Sequence, residues 1–203
     1  MQGVRKDSEG SEGAAGSQTN ASVLVFDPIK HTYTLDGKLI PSVTTVLKRA
    51  TIIDTTWYRE PCTKRGTDIH NAIECIESVE HGLPRIMAYI HFRMAEGYFP
   101  VDVGMSVYSE RHMYGGTIDT AGMLYGEYSV IDFKSGRAPE WVRLQLAAYC
   151  HCLVEMGKCA KMPRGYSLEL RKNGTYDLKQ HDMKSGLEEF LEARKRIDEP
   201  PIF

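Results

Sequence analysis

The stretch GGTIDTAGMLYGEYSVIDFKSG, from Gly115 to Gly136, sets Asp119, Asp132 and Lys134 among strongly β-forming neighbours. Asp132 and Lys134 are two apart, so on a strand they share a face while Ile131 and Phe133 turn to the other, where helices can cover them. A two-residue loop at Tyr125-Gly126 places Asp119 directly opposite Asp132; a loop centred one residue later places it opposite Lys134. In both registers the three side chains occupy one face. Opposed carboxylates destabilise a sheet by ~0.2–1 kcal/mol unless something neutralises them. Two arrangements do so. Lys134 can bridge the aspartates as an ion pair, or a hard cation such as Mg²⁺ or Mn²⁺ can take the carboxylate oxygens and keep coordination positions for a substrate phosphate.

Downstream, in PEWVRLQLAAYCHCLVEMG, Gln145 and Tyr149 are four apart, with Trp141 one turn earlier. On a helix an amide and a phenol at that spacing project together and can orient a phosphate, a water or a base. The same spacing fits a half-buried helix with a tyrosine at its rim. Upstream, His70 in RGTDIH stands beside the apolar stripe of Ile69 and Ile73, a setting that also suits a purely structural histidine.

The elements that must hold these groups can be read from pattern. VLVFD, HTYTLDG and KLIPSV cluster β-formers around the Asp36-Gly37 turn, which predicts an opening hairpin. Ser42 or Thr44 can cap a short helix through Arg49. The spacing of Ile69, Ala72, Ile73 and Ile76 predicts an amphipathic helix from Gly66 to Gly82, and a further helix is expected from Pro84 to Glu96. Strands are expected over Val103 to Glu110, Gly116 to Leu124 and Tyr128 to Lys134. A helix then opens at Pro139 and closes at Gly157, a hairpin turns at Asn173-Gly174, and a charged helix runs from Met183 to Ile197. That order predicts an α/β or α+β domain, a small mixed sheet flanked by helices, with no internal repeat.

At 203 residues, 42% hydrophobic and 26% charged, the chain has the composition of one ordinary globular domain. Residues 1–22, rich in Gly, Ser and Glu, are expected to form a disordered tail, leaving 23–203 as the domain. No run approaches the ~18 consecutive apolar residues of a membrane span, so no membrane association is expected. The opening residues lack the apolar stretch of a secretory signal, and their acids argue against a mitochondrial transit peptide. Five cysteines without a scaffold-like spacing point to a reducing, cytoplasmic compartment. The formal charge of −2 does not announce a nucleic-acid binder, so a polyanionic partner must be met by a local patch or through cations. A P-loop is absent from the sequence, and with it the usual sign of a helicase.

Taken in order, RGTDIH, GGTID, IDFKSG and QLAAY, from Arg65 to Tyr149, resemble the PD-(D/E)XK nuclease superfamily, in particular its RecB-like exonuclease branch. That branch includes phage exonucleases and the mitochondrial genome maintenance exonuclease, and HTYTLDGKLIPSVTTVL is similar to the N-terminal segment of phage members. The resemblance implies a restriction-endonuclease-like core. It also implies His70, Asp119, Asp132 and the Phe133 backbone carbonyl as metal ligands, Lys134 as the catalytic lysine, and Gln145 with Tyr149 as the family's Q-x-x-x-Y helix. Glu110 matches loosely an acid of some members and is assigned a supporting position. The implied activity is Mg²⁺-dependent DNA hydrolysis, with Mn²⁺ as substitute, acting on single strands or free ends in phage or bacterial replication, recombination or repair. A replication or recombination protein is an expected partner. The alternatives are a structure-specific endonuclease on the same fold, and a degenerate nuclease domain serving as a DNA-binding scaffold. Some RecB-like nucleases hold an iron-sulfur cluster on one early and three late cysteines, a pattern Cys62, Cys150, Cys152 and Cys159 match superficially. Cys150 and Cys152, two apart on one helix, point in different directions, so no cluster is expected.

Overall fold

The computed structural model of the chain describes residues 22–54 and 84–198. The helix expected from Gly66 to Gly82, which carries His70, lies outside the described residues, as does Cys62. The described chain is a mixed α+β fold built on two sheets.

The first sheet is three-stranded and antiparallel, with order β1-β2-β3: β1 Leu24–Asp27, β2 Thr32–Leu35 and β3 Lys38–Ile40. The expected hairpin is its second half. Leu35 pairs with Lys38, and Asp36 and Gly37 take φ values of 50° and 79°, the left-handed pair that a two-residue turn between twisted strands requires. VLVFD adds β1 to the free side of that hairpin. Helix α1, Val43–Arg49, follows, capped by Ser42, whose Oγ accepts the Thr45 N–H at 3.0 Å.

The second sheet carries the chemistry. It has five strands in the order β4-β5-β6-β7-β8: β4 Phe99–Ser109, β5 Tyr114–Leu124, β6 Glu127–Lys134, β7 Arg164–Leu170 and β8 Tyr176–His181. All neighbours are antiparallel except β6 and β7, which run parallel. Parallel neighbours need a crossover. Helix α3, Val142–Glu155, supplies it, while α2, Pro84–Glu96, precedes the sheet and α4, Met183–Arg196, closes the domain.

Strand β4 begins four residues before the expected Val103. Pro100 reads as a breaker, yet β4 is an edge strand with a register shift between Pro100 and Asp102, where a missing N–H does no harm. Helix α3 likewise starts at Val142 rather than Pro139. Pro139 through Trp141 form a lead-in turn in which the Pro139 carbonyl accepts the Val142 N–H at 3.1 Å. Helix α4 is capped by Asp182, whose carboxylate accepts the N–H groups of Lys184 and Ser185.

Two apolar layers sandwich the five-stranded sheet. On one face α1, α3 and α4 pack with Val107, Tyr114, Ala121 and Val130; on the other, Ala88, Tyr89 and Phe92 of α2 meet Ile131, Phe133, Tyr166 and Leu168. The alternation along β6 therefore sends Ile131 and Phe133 to α2, and Val130, Asp132 and Lys134 to the α3 face. Helix α3 buries residues around nearly its whole circumference, from Val142 to Leu153, because the sheet lies beneath it and α4 covers it.

Candidate active site

The site begins where β5 and β6 part. Tyr125 and Gly126 form the two-residue turn, with φ values of 52° and 77°, so Leu124 pairs with Glu127 and the ladder runs to Thr120–Ile131. This is the register that sets Asp119 against Asp132, but the next pair never forms. Beyond it β5 keeps pairing with β4, through Ile118–Met105 to Tyr114–Ser109, while β6 pairs with β7, through Asp132–Ser167 and Lys134–Glu169. A wedge opens between the strands. Asp119 fills it with its side chain, and its Oδ2 accepts the Phe133 N–H at 2.7 Å in place of the lost backbone partner. In a strand the N–H and C=O of one residue point to the same edge, so the Phe133 carbonyl is directed toward this wedge as well.

Asp132 is 3% exposed, a carboxylate in the middle of the sheet under α3. Lys134 Nζ lies 2.5 Å from its Oδ2 and 5.4 Å from the centre of the Trp141 ring, so the ammonium sits between carboxylate and indole. The ammonium is the partner of the buried Asp132 Oδ2, while the buried Gln145 Oε1 has no hydrogen bond among the described residues. Buried polar atoms are nearly always satisfied, and exceptions call for an explanation.

Gln145 and Tyr149 project from α3 as expected. Gln145 Nε2 donates to the Tyr149 hydroxyl at 3.1 Å. Burial pushes the Tyr149 phenol far above its ordinary range, and the charges of Asp132 and Asp119 act in the same direction. At neutral pH this group is a fixed hydroxyl. Its ring lies against the backbone of Gly116, where a Cβ would stand 2.5 Å from Tyr149 Cε1. Gly115 is constrained from the other side, where a Cβ would meet the Val107 carbonyl at 3.2 Å and Ile40 Cδ1 at 3.3 Å. The paired glycines are thus the thin wall on which the tyrosine rests.

The tertiary fold adds groups that no spacing indicated. Ser167, fully buried on β7, is the register partner of Asp132, and its Oγ lies 2.8 Å from His181 Nε2 on β8. Burial lowers the His181 pKa, Lys179 and Arg143 lower it further, and Glu140 and Asp132 oppose them. The balance favours the neutral imidazole. One residue past Lys134, Ser135 and Gly136 line an open hollow of about 560 Å³ with Arg85, Arg137, Arg171 and Lys172, against the acids Glu169 and Asp177. Within it Arg171 is paired with Asp177 at 3.1 Å.

Asp119, Asp132, Lys134, Gln145, Tyr149 and the Phe133 backbone are therefore brought together. Glu110 is not. It sits in the β4–β5 turn, its Oε1 accepting from Ser22 Oγ at 3.0 Å, and Asp119 is five residues along β5 from Tyr114, ~17 Å at strand rise. Its acid belongs to the far end of the hairpin. Cys150 and Cys152 are fully buried in α3, where burial pushes both thiols up, and Cys159 is partly buried beyond that helix.

The donor set suits a hard cation. Asp119, Asp132 and the Phe133 carbonyl offer oxygen donors at one wedge, the kind of donor a hard cation takes, with the Lys134 ammonium already against Asp132 Oδ2. The chain matches no protein-family model, and comparison with curated proteins finds no match. Among the described residues no helix is long and apolar enough to cross a membrane.

Proposed function

We propose that this chain is a Mg²⁺-dependent nuclease that hydrolyses DNA phosphodiesters from strand ends, as its resemblance to RecB-like PD-(D/E)XK exonucleases implies. The observation that carries the reading is Asp132: a carboxylate 3% exposed at a fork between strands, paired to Lys134, with Asp119 held in the same wedge by the Phe133 N–H. A fold that needed only stability would place apolar side chains there, since a buried ion pair gains little over well-packed hydrocarbon.

Asp119 and Asp132, with the Phe133 carbonyl, would hold the cation, which when bound neutralises phosphoryl charge and lowers the pKa of a coordinated water. The residues do the rest. Lys134, steadied by Asp132 and Trp141, presents a positive charge to the phosphoryl group or the attacking water. Tyr149 and Gln145 offer a hydroxyl and an amide on the roof of the wedge to orient phosphate or water. The hollow lined by Arg85, Arg137, Arg171 and Lys172 gives the neighbouring phosphates a track.

End-labelled single- and double-stranded DNA, free or blocked at either end, incubated with Mg²⁺, Mn²⁺ or EDTA, tests this. Mononucleotide or short-oligonucleotide release from free ends, lost in EDTA and in Asp132→Asn, is expected. Metal-dependent turnover retained by Asp132→Asn would overturn the assignment. Cleavage of covalently closed circles would replace exonuclease with endonuclease.

A further inference from the structure

A second group of metal-binding side chains lies at the opposite end of α3, away from the fork. His112, in the turn between β4 and β5, and His151 and Glu155, one turn apart on α3, bring their ligand atoms within 4.8 Å of one another. The geometry points to a transition-metal site here, for Zn²⁺ foremost, with two imidazole nitrogens and one carboxylate as protein ligands and a fourth position open to water or an exogenous donor.

The His151–Glu155 edge is already formed. Nε2 of His151 and Oε1 of Glu155 are 3.5 Å apart, and the edge of a tetrahedron around a zinc ion with bonds near 2.0–2.1 Å is about 3.4 Å. Closing the remaining edges takes ~1–1.5 Å of movement. His112, a half-buried turn residue, can supply it by side-chain rotation.

The surroundings hold the His151 ring in place. The Tyr114 hydroxyl lies 3.2 Å from the Ala148 carbonyl, one turn back on α3. A hydrogen bond of 3.0 Å between the Tyr114 hydroxyl and His151 Nδ1 ties the inner nitrogen of the ring and directs Nε2 toward Glu155. A histidine whose inner nitrogen is tied in this way is the usual form of a metal-ligating imidazole. The His112 backbone is fixed independently. Its N–H donates to Ser109 Oγ at 3.0 Å, and Arg194, itself almost wholly buried, donates Nε to the His112 carbonyl at 3.0 Å. Burial lowers the pKa of both imidazoles, with the Glu155 charge opposing it.

Nitrogen and mixed nitrogen–oxygen donors favour Zn²⁺, Co²⁺ or Ni²⁺ over Mg²⁺ or Ca²⁺. The local charge permits a dication: Glu155 and Glu110 line the adjoining hollow with Arg111. Bound there, the ion would staple the β4–β5 turn to the end of α3, the helix that carries Gln145 and Tyr149.

The test is titration of the full chain with Co²⁺ as a spectroscopic probe, in excess Mg²⁺, followed by displacement with Zn²⁺. Visible d–d absorption saturating at one equivalent is expected, weakened at least ~10²-fold in His112→Gln and Glu155→Gln, ~10- to 100-fold in Tyr114→Phe, and unchanged in Asp132→Asn. His112 and Glu155 are not wholly buried, so their variants are expected to fold even if changes at His151 do not. Wild-type titrations in His112→Gln and Glu155→Gln, no visible absorption in the wild type, or absorption lost only in Asp132→Asn would each overturn the site.

Discussion

Replacing Lys134 by methionine separates a structural ion pair from a cation site. Asp132 and Lys134 pair at 2.5 Å with side-chain exposures of 5% and 19%. Removing one partner of a buried pair costs ~3–5 kcal/mol, because the other charge is left in low dielectric. The ammonium keeps partial contact with water, and methionine preserves the stem that packs beside Trp141, so about 2–3 kcal/mol is the expected loss in metal-free buffer. For a chain of this size ~1 kcal/mol moves Tm by ~2–4 °C, so the variant should melt ~4–12 °C lower in EDTA. The stranded carboxylate then becomes the better cation site. At ~100 times its Kd, Mg²⁺ returns ~2.7 kcal/mol, and the Mg²⁺-dependent rise in Tm should be larger in Lys134→Met than in the wild type, whose ammonium competes for Asp132 Oδ2. Thermal melting followed by circular dichroism in EDTA and across a Mg²⁺ series reads both quantities. An unchanged Tm in EDTA, or a Mg²⁺ response no larger than wild type, would refute the reasoning.

Further expectations concern the fork, its surroundings and His70. Asp119→Asn keeps an oxygen for the Phe133 N–H but loses the charge; it should fold, bind DNA and fail to cleave, as melting, gel-shift and cleavage assays would register. Gly116→Ala drives a methyl to 2.5 Å from Tyr149 and should cost ~1–3 kcal/mol; the loss should shrink in a Tyr149→Leu background, and simple additivity in the double mutant would contradict the contact. His181 has a depressed folded pKa, so its contribution to stability is complete above the unfolded value near ~6.5 and is lost as pH falls through the folded value; His181→Gln should flatten the fall in Tm between neutral and mildly acidic pH. His70→Ala should stay folded and need more Mg²⁺ for cleavage, with Mn²⁺ partly restoring it; a wild-type metal midpoint with a large drop in Tm would make His70 structural.

Much of this architecture is local and so was legible in the chain. The left-handed pairs Asp36-Gly37 and Tyr125-Gly126 follow from residue type, as do the cap at Ser42 and the α2 helix opening on Pro84. Period-two alternation placed Asp132 and Lys134 on one face and Phe133 on the other, and helical spacing put Gln145 beside Tyr149. What alternation cannot express is where a ladder stops. The β5–β6 ladder ends at Thr120–Ile131 while β4 and β7 continue along the outer edges of the two strands, a long-range arrangement in which Asp119 is the acceptor of the Phe133 N–H rather than a residue paired with Asp132. The same sheet brings Ser167 and His181 beside Asp132 from more than thirty residues away, and leaves Glu110 at the far end of the hairpin. Residue types announced a polar face; only the packing of five strands beneath α3 made it a buried wedge, since burial and convergence are properties of neighbours that the chain meets after it folds.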